Sequence, residues 1–144
     1  MDKKIIPVAV GALVKDRKIL LIKKVKPPYQ GLWNLHGGKI DHGKHIEDAI
    51  TREILEESGL KVKMDKMLGI VSEHLLEKGA INTHLLLFVC NLKAEKWNHS
   101  EKEEGELQWF DLNTIDENKE KILLSDFLMI KKWLWPIRAA ILQA

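Results

Sequence analysis

One short helix-period segment lies among strand-like runs, and this arrangement restricts what the chain can fold into. In Ile46–Ser58, apolar Ile46, Ile50 and Ile54 recur every fourth residue, and Gly59 stands where a C-cap glycine belongs. On both sides the chain is rich in Val, Ile and Leu. Ile5–Val14 and Lys18–Lys24 are separated by "KDRK" and predict an antiparallel hairpin. Val62–His74 and Ile81–Leu92, joined through "LLEKGAIN", predict two further strands. An amphipathic helix has to bury its stripe, and these strands supply the surface for it. The fold class expected is therefore α/β or α+β, in layers around one core.

The remaining segments fit that frame. "VKPPYQGLWN" is expected to be a loop, because its two prolines cannot donate to a ladder. A glycine loop, Gly37–Gly43, follows. Lys93–Gly105 is a charged polar loop, and Glu106–Asp111 a short strand. Leu112–Ala144 is expected to be mostly helical, with Ser125 or Asp126 as N-cap of the last helix and Pro136 breaking it. At 144 residues the chain fits one domain, residues 1–144. Its 23 basic and 21 acidic residues give no basic excess, so nucleic acid is not the expected partner. No apolar run reaches the roughly 20 residues of a membrane span. The single cysteine, Cys90, lies in "HLLLFVCNL" and is expected to be a buried thiol. A reducing, cytoplasmic setting fits it.

The helix carries the chemistry. At about 100° per residue, Glu53, Glu56 and Glu57 share an arc of about 100°, with small Ala49 among them. Ile46, Ile50 and Ile54 adjoin that arc, so the carboxylates border the core, and Arg52 lies beside Glu56. Like charges at these spacings repel, and more so where screening is weak. A cation would offset that repulsion, and clustered hard oxygens suit Mg2+ or Mn2+. Taken alone, the helix is better read as an acidic face in solvent, which is what charge runs usually are. Gly37, Gly38 and Gly43 shift the balance, because they let backbone approach a ligand closely. A glycine segment leading into a carboxylate-bearing helix is a holder for a metal–diphosphate unit.

These residues resemble the Nudix family, whose box is G-x5-E-x7-R-E-U-x-E-E-x-G-U with U aliphatic. Gly38 begins it. Arg52, Glu53, Ile54, Glu56, Glu57, Gly59 and Leu60 stand at the matching places, so the box covers residues 38–60. "GLWNLHGG" resembles the family's W-x-L-P-G-G lead-in, with His36 for the proline, and "GELQWFDL" resembles a strand common in these enzymes. In its compact size the chain is similar to the MutT-type members. The resemblance implies an α/β/α sandwich around a mixed sheet and Mg2+- or Mn2+-dependent hydrolysis of a nucleoside diphosphate linked to a group X. It implies metal ligation by Glu53, Glu56, Glu57 and the Gly37 carbonyl, with Glu53 also helping to activate water. Arg52 would orient the glutamates. Gly37, Gly38, Lys39 and Lys44 would meet substrate phosphates, and an acid before Trp109, Glu104 or Glu103, would assist. Glu101 and Glu106 are alternatives there, and a solvated loop is an equal reading of all four.

The box has one departure. Position 44 carries lysine where the family has glutamate, and a protonated lysine cannot ligate a metal. Weakened or altered metal dependence is the expected result, with Asp41 and Glu47 as nearby acids. "GKIDHGKH" also nearly matches a phosphate loop, but His45 stands where Ser or Thr would meet magnesium, so the match is coincidental. His36, His42, His45, His74, His84 and His99 lack zinc spacing and are expected in loops or on the surface. Tyr29, Trp33, Phe88, Trp97 and Trp109 are candidates for a base-stacking wall, with Trp109 and Phe88 better suited to the core. Trp133 and Trp135 are expected to serve packing or a dimer surface, so the chain is a monomer or a homodimer. Two functions follow. One is a metal-dependent pyrophosphohydrolase of nucleoside triphosphates, nucleotide sugars or ADP-ribose. The alternative is a nucleotide sensor of the same fold that Lys44 has deprived of turnover.

Overall fold

The computed structural model describes residues 3–26, 29–95 and 107–134. Within them the chain forms two compact units, one from residues 3–13 and 36–95, the other from 14–26, 29–35 and 107–134. Neither unit is a continuous piece of sequence.

The first unit holds a mixed sheet. Strand β1 (Ile5–Lys15) starts here and ends in the other unit. Within the second unit it turns into β2 (Lys18–Lys23) through Asp16 and Arg17, both at positive φ (51° and 63°). This is the tight two-residue turn whose twist suits a hairpin, and here it is made without glycine. β3 (Trp33–Asn34) also belongs to the second unit, whereas β4 (His36–Lys39) belongs to the first. β4 runs antiparallel to β1, pairing His36 with Gly11 and Gly38 with Ala9. β5 (Val62–Glu77) and β6 (Ala80–Ala94) form a long antiparallel hairpin, and β6 runs parallel to β1 from Ile5–His84 to Leu13–Leu92. The hairpin strands exceed the expected lengths because Lys78 and Gly79, both at positive φ, turn the chain in two residues. The expected glycine loop is also shorter, since Gly37 and Gly38 belong to β4 and pair with β1.

Helix α1 (Ile46–Ser58) has the expected bounds. Gly59 closes it at φ 73°, its N–H reaching the Leu55 carbonyl at 2.9 Å. Ser58 is buried and fully used: its hydroxyl donates to the Ile54 carbonyl at 2.6 Å and accepts from the Leu60 N–H at 3.1 Å. Ile50 and Ile54 are buried against the sheet. A side chain at Gly11 would meet Ile50 Cγ1 at 2.8 Å, so glycine there lets the helix approach β1.

In the second unit β2 pairs with β3 and with β7 (Leu107–Asp111). Trp33 is buried edge-on to Phe110 at 5.3 Å, which removes it from the candidate stacking wall. Leu112–Lys121 is a kinked 3-10 segment, followed by α2 (Leu124–Trp133). The expected caps of α2 are corrected. Its N-cap is Leu123, which offers no side-chain bond, while Ser125 and Asp126 lie inside the helix. Asp126 is buried; one carboxylate oxygen accepts from the distant Leu35 N–H at 2.8 Å and the other from the Ser125 hydroxyl at 3.3 Å. Trp109 and Phe88 are half-buried, not core. Pro136, Trp135, Trp97 and His99 lie outside the described residues.

Cys90 is buried as expected, and that burial pushes its thiol from 9.0 up to about 11. At pH 8 only about one thiol in a thousand is then the reactive thiolate. Because folding raises this value, the thiol leaves stability unchanged below pH 9.0 and lowers it as pH climbs toward about 11. Iodoacetamide at pH 8 should alkylate the native protein at least about a hundredfold more slowly than the guanidinium-unfolded chain; mass spectrometry of timed samples checks this.

Candidate active site

The site is built where α1 lies along β4. A strand advances about 6.7 Å in two residues, and a helix advances about 6 Å in four. Running in opposite directions, His36 and Gly38 on one face of β4 therefore meet Glu57 and Glu53 on α1. Both contacts occur. A Cβ at Gly38 would overlap the Glu53 side chain, so this glycine makes the space in which the glutamate lies. His36 Nδ1 stands 3.5 Å from Glu57 Oε1.

The acidic arc runs from wet to dry around the helix. Arg52 and Glu56, at 53% and 48% exposure, sit at the solvent edge, 3.5 Å apart. Glu53 is half-buried, and the Glu57 side chain is only 12% exposed. Ile50 and Ile54 continue the arc into the core. The carboxylates therefore do border the core. Glu57 Oε1 is buried and makes no hydrogen bond among the described residues. Such an acceptor is costly to leave alone, and a cation or a donor would relieve it.

Arg52 also lies 3.7 Å from Asp41, in the turn before the helix. That turn closes through the Lys44 N–H to the Asp41 carbonyl at 3.0 Å, with Gly43 at φ 82°. Lys44 is exposed there and points no carboxylate at the cluster. It lines an open cavity of about 320 Å3 together with Lys39, Asp41, Asp48, Ala49 and Arg52. Glu47 and Asp48 occupy the first turn of α1, where the helix dipole favours negative charge. The structure thus gathers Gly37, Gly38, Lys39, Lys44, Arg52, Glu53, Glu56 and Glu57 on β4, the following turn and α1. Glu101, Glu103, Glu104 and Glu106 lie outside the described residues.

His36 is the correction. The sequence pattern favours loop or surface histidines, and His42 and His45 are indeed exposed. His36 is 0% exposed and lies within β4. The signal was present in the spacing: a residue two before Gly38 on a strand shares its face.

A family model described as the NUDIX domain matches residues 6–130. The chain belongs to the Nudix hydrolase family. These enzymes act on phosphoric anhydride bonds. This Nudix chain is 33% identical over 116 residues to an ADP-ribose pyrophosphatase of Methanocaldococcus jannaschii, covering 78% of itself and 68% of that protein. It is 34% identical over 106 residues to an oxidized purine nucleoside triphosphate hydrolase of Danio rerio, covering 72% of itself and 64% of that protein. The chain thus spans about two thirds of the length of these relatives. Among solved structures it is similar to a MutT NUDIX hydrolase from Burkholderia pseudomallei (TM-score 0.66, 30% identity, 77% and 86% of the two chains). A NUDIX hydrolase from Nitrosomonas europaea shares the fold (TM-score 0.76, 20% identity, 89% and 87% covered). Their class agrees with the mixed sheet and helices found here. Among the described residues no helix is long and apolar enough to cross a membrane.

Both ion pairs of Arg52 are exposed and longer than a tight contact, so they stabilise little. Arg52→Ala should change the unfolding free energy by under about 1 kcal/mol, as urea denaturation will show. A larger loss would mean that Arg52 anchors the fold.

Proposed function

We propose that the chain is a divalent-metal-dependent pyrophosphohydrolase that cleaves a nucleoside diphosphate linked to X by attack of water on the diphosphate. The observation that carries this is the seating of α1: Glu53 on bare glycine backbone and Glu57 held dry at the edge of the core. A helix face exposed only for solubility has no need of either feature.

The donor set suits Mg2+ or Mn2+. Among the described residues no three carboxylate, imidazole or thiol side chains form a ready cage. Magnesium does not require one, since it keeps waters and uses one or two carboxylates together with substrate phosphates. Glu53, Glu56, Glu57 and the Gly37 carbonyl would hold it. Bound there, it would neutralise the diphosphate and lower the pKa of a bound water.

The chain's own residues supply the rest. Glu53, half-buried beside Gly38, accepts the proton of the attacking water. Arg52 keeps Glu56 at the rim by their 3.5 Å contact. Gly37 and Gly38 let the diphosphate approach the backbone, and Lys39 and Lys44 draw its negative charge from the adjoining cavity. Glu104 is the proposed assisting acid. Phosphoryl transfer needs mainly positioning and charge, so no covalent nucleophile is required. Residues 1–144 act as a single Nudix domain, and the interleaving of its two units along the chain supports that reading. Two relatives bear the names of an ADP-ribose and a nucleoside triphosphate enzyme. Of the two, we propose the triphosphate as the first substrate to test. The protein works as a cytoplasmic monomer or homodimer.

A panel of nucleoside triphosphates, nucleotide sugars and ADP-ribose, assayed with Mg2+ and Mn2+, tests the reading. At least one compound should turn over, and Glu57→Gln should cut that rate by at least about a hundredfold. Binding without turnover above the Glu57→Gln control would make the chain a sensor. Lys44 bears on the metal, because its charge sits where the family has a carboxylate. Lys44→Glu should lower the Mg2+ concentration needed for half-maximal rate, and an unchanged Mg2+ titration would remove Lys44 from this role.

A further inference from the structure

We infer that His36 is a positioning residue for Glu57: its imidazole, buried on the α1-facing side of β4, holds that carboxylate in the orientation that receives a divalent cation. The cation comes from the function proposed above, whereas the contact is geometric and independent of it.

Three observations carry the inference. First, His36 is wholly buried, and neither ring nitrogen has a hydrogen-bond partner among the described residues. A buried imidazole without partners is costly, and apolar residues of similar volume pack the same space without that penalty. Packing alone therefore does not account for a histidine there. Second, a charged group stands against it: Glu57, whose Oε1 is itself buried and makes no hydrogen bond among the described residues, lies 3.5 Å from Nδ1. A ring carrying a proton on Nδ1 offers its donor to that oxygen. Third, the contact is locked from both sides. His36 faces Gly11 across the β1–β4 pair, where glycine lets α1 approach, and it lies on the same face as Gly38, which receives Glu53. One strand face thus seats both glutamates, the first by an absent side chain and the second by an imidazole.

A ligating carboxylate held by a second group loses less freedom when the ion arrives, and such partners typically govern affinity by ten- to a hundredfold. The proline that the family resemblance places at position 36 has no side-chain donor, so this restraint is a property of this chain.

The test is Mn2+ binding to the full chain without nucleotide, followed by electron paramagnetic resonance of the free ion. His36→Leu should weaken Mn2+ by about ten- to a hundredfold. His36→Asn, whose amide nitrogen can take the place of Nδ1, should stay within about threefold of wild type. His36→Gln, reaching toward the Nε2 position, should behave like the leucine variant, so the comparison survives if His36→Leu does not fold. In turnover, high Mg2+ should restore kcat of His36→Gln with the KM for nucleotide unchanged, a split that a purely structural role would not produce. Equal Mn2+ affinity across the wild type and all variants, or equal losses in His36→Asn and His36→Gln, would overturn the proposal. So would a wild-type chain that binds no Mn2+. Mn2+ affinities in the expected order without turnover of any nucleotide would support His36 while rejecting the proposed hydrolysis.

Discussion

The site depends on how closely α1 lies along β4. Glycine at position 38 removes the atom that would otherwise push Glu53 away, and glycine at position 11 does the same for Ile50. Neither contact is attractive in itself. Each permits a helix to come within side-chain reach of strands that would otherwise hold it off. Once it is that close, a strand step of two matches a helix step of four, and the glutamates take their places in register with β4.

From that seating follows the electrostatic grading of the helix. The same turn-to-turn rotation that buries Ile50 and Ile54 carries Glu57 most of the way into the core, leaves Glu53 half covered and keeps Glu56 in water. Three carboxylates of one type thereby have three different environments. A dry carboxylate interacts strongly with a cation, and a wet one adjusts easily. Arg52, at the wet edge between Glu56 and Asp41, adds charge balance more than stability. Lys44 stands outside this gradient, in the turn that opens onto the cavity. Its positive charge lies beside Lys39, Asp41 and Arg52 in the lining of that cavity.

Much of this was legible in the residues. Helix α1 and its glycine cap followed from an apolar period of four and from Gly59, because both are local properties of the chain. The acidic arc followed from helical rotation alone. The strands followed from their Val, Ile and Leu content, yet their ends did not. Lys78–Gly79 turns the chain in two residues, and only the pairing of β5 with β6 shows how far each strand extends. The caps of α2 were misread for a related reason. Ser125 and Asp126 have the chemistry of caps, but the Asp126 carboxylate accepts from the Leu35 N–H, 91 residues away in sequence.

By itself the sequence determined the family, the helix and the identity of the acidic residues, since each is written in spacing along one chain. Only the tertiary structure decided which glutamate is dry, that Gly38 makes room for Glu53, and that His36 is buried against Glu57 instead of exposed in a loop. Those are facts of approach between segments distant in the chain. Burial and a missing partner arise when two surfaces meet, and no single segment carries that information.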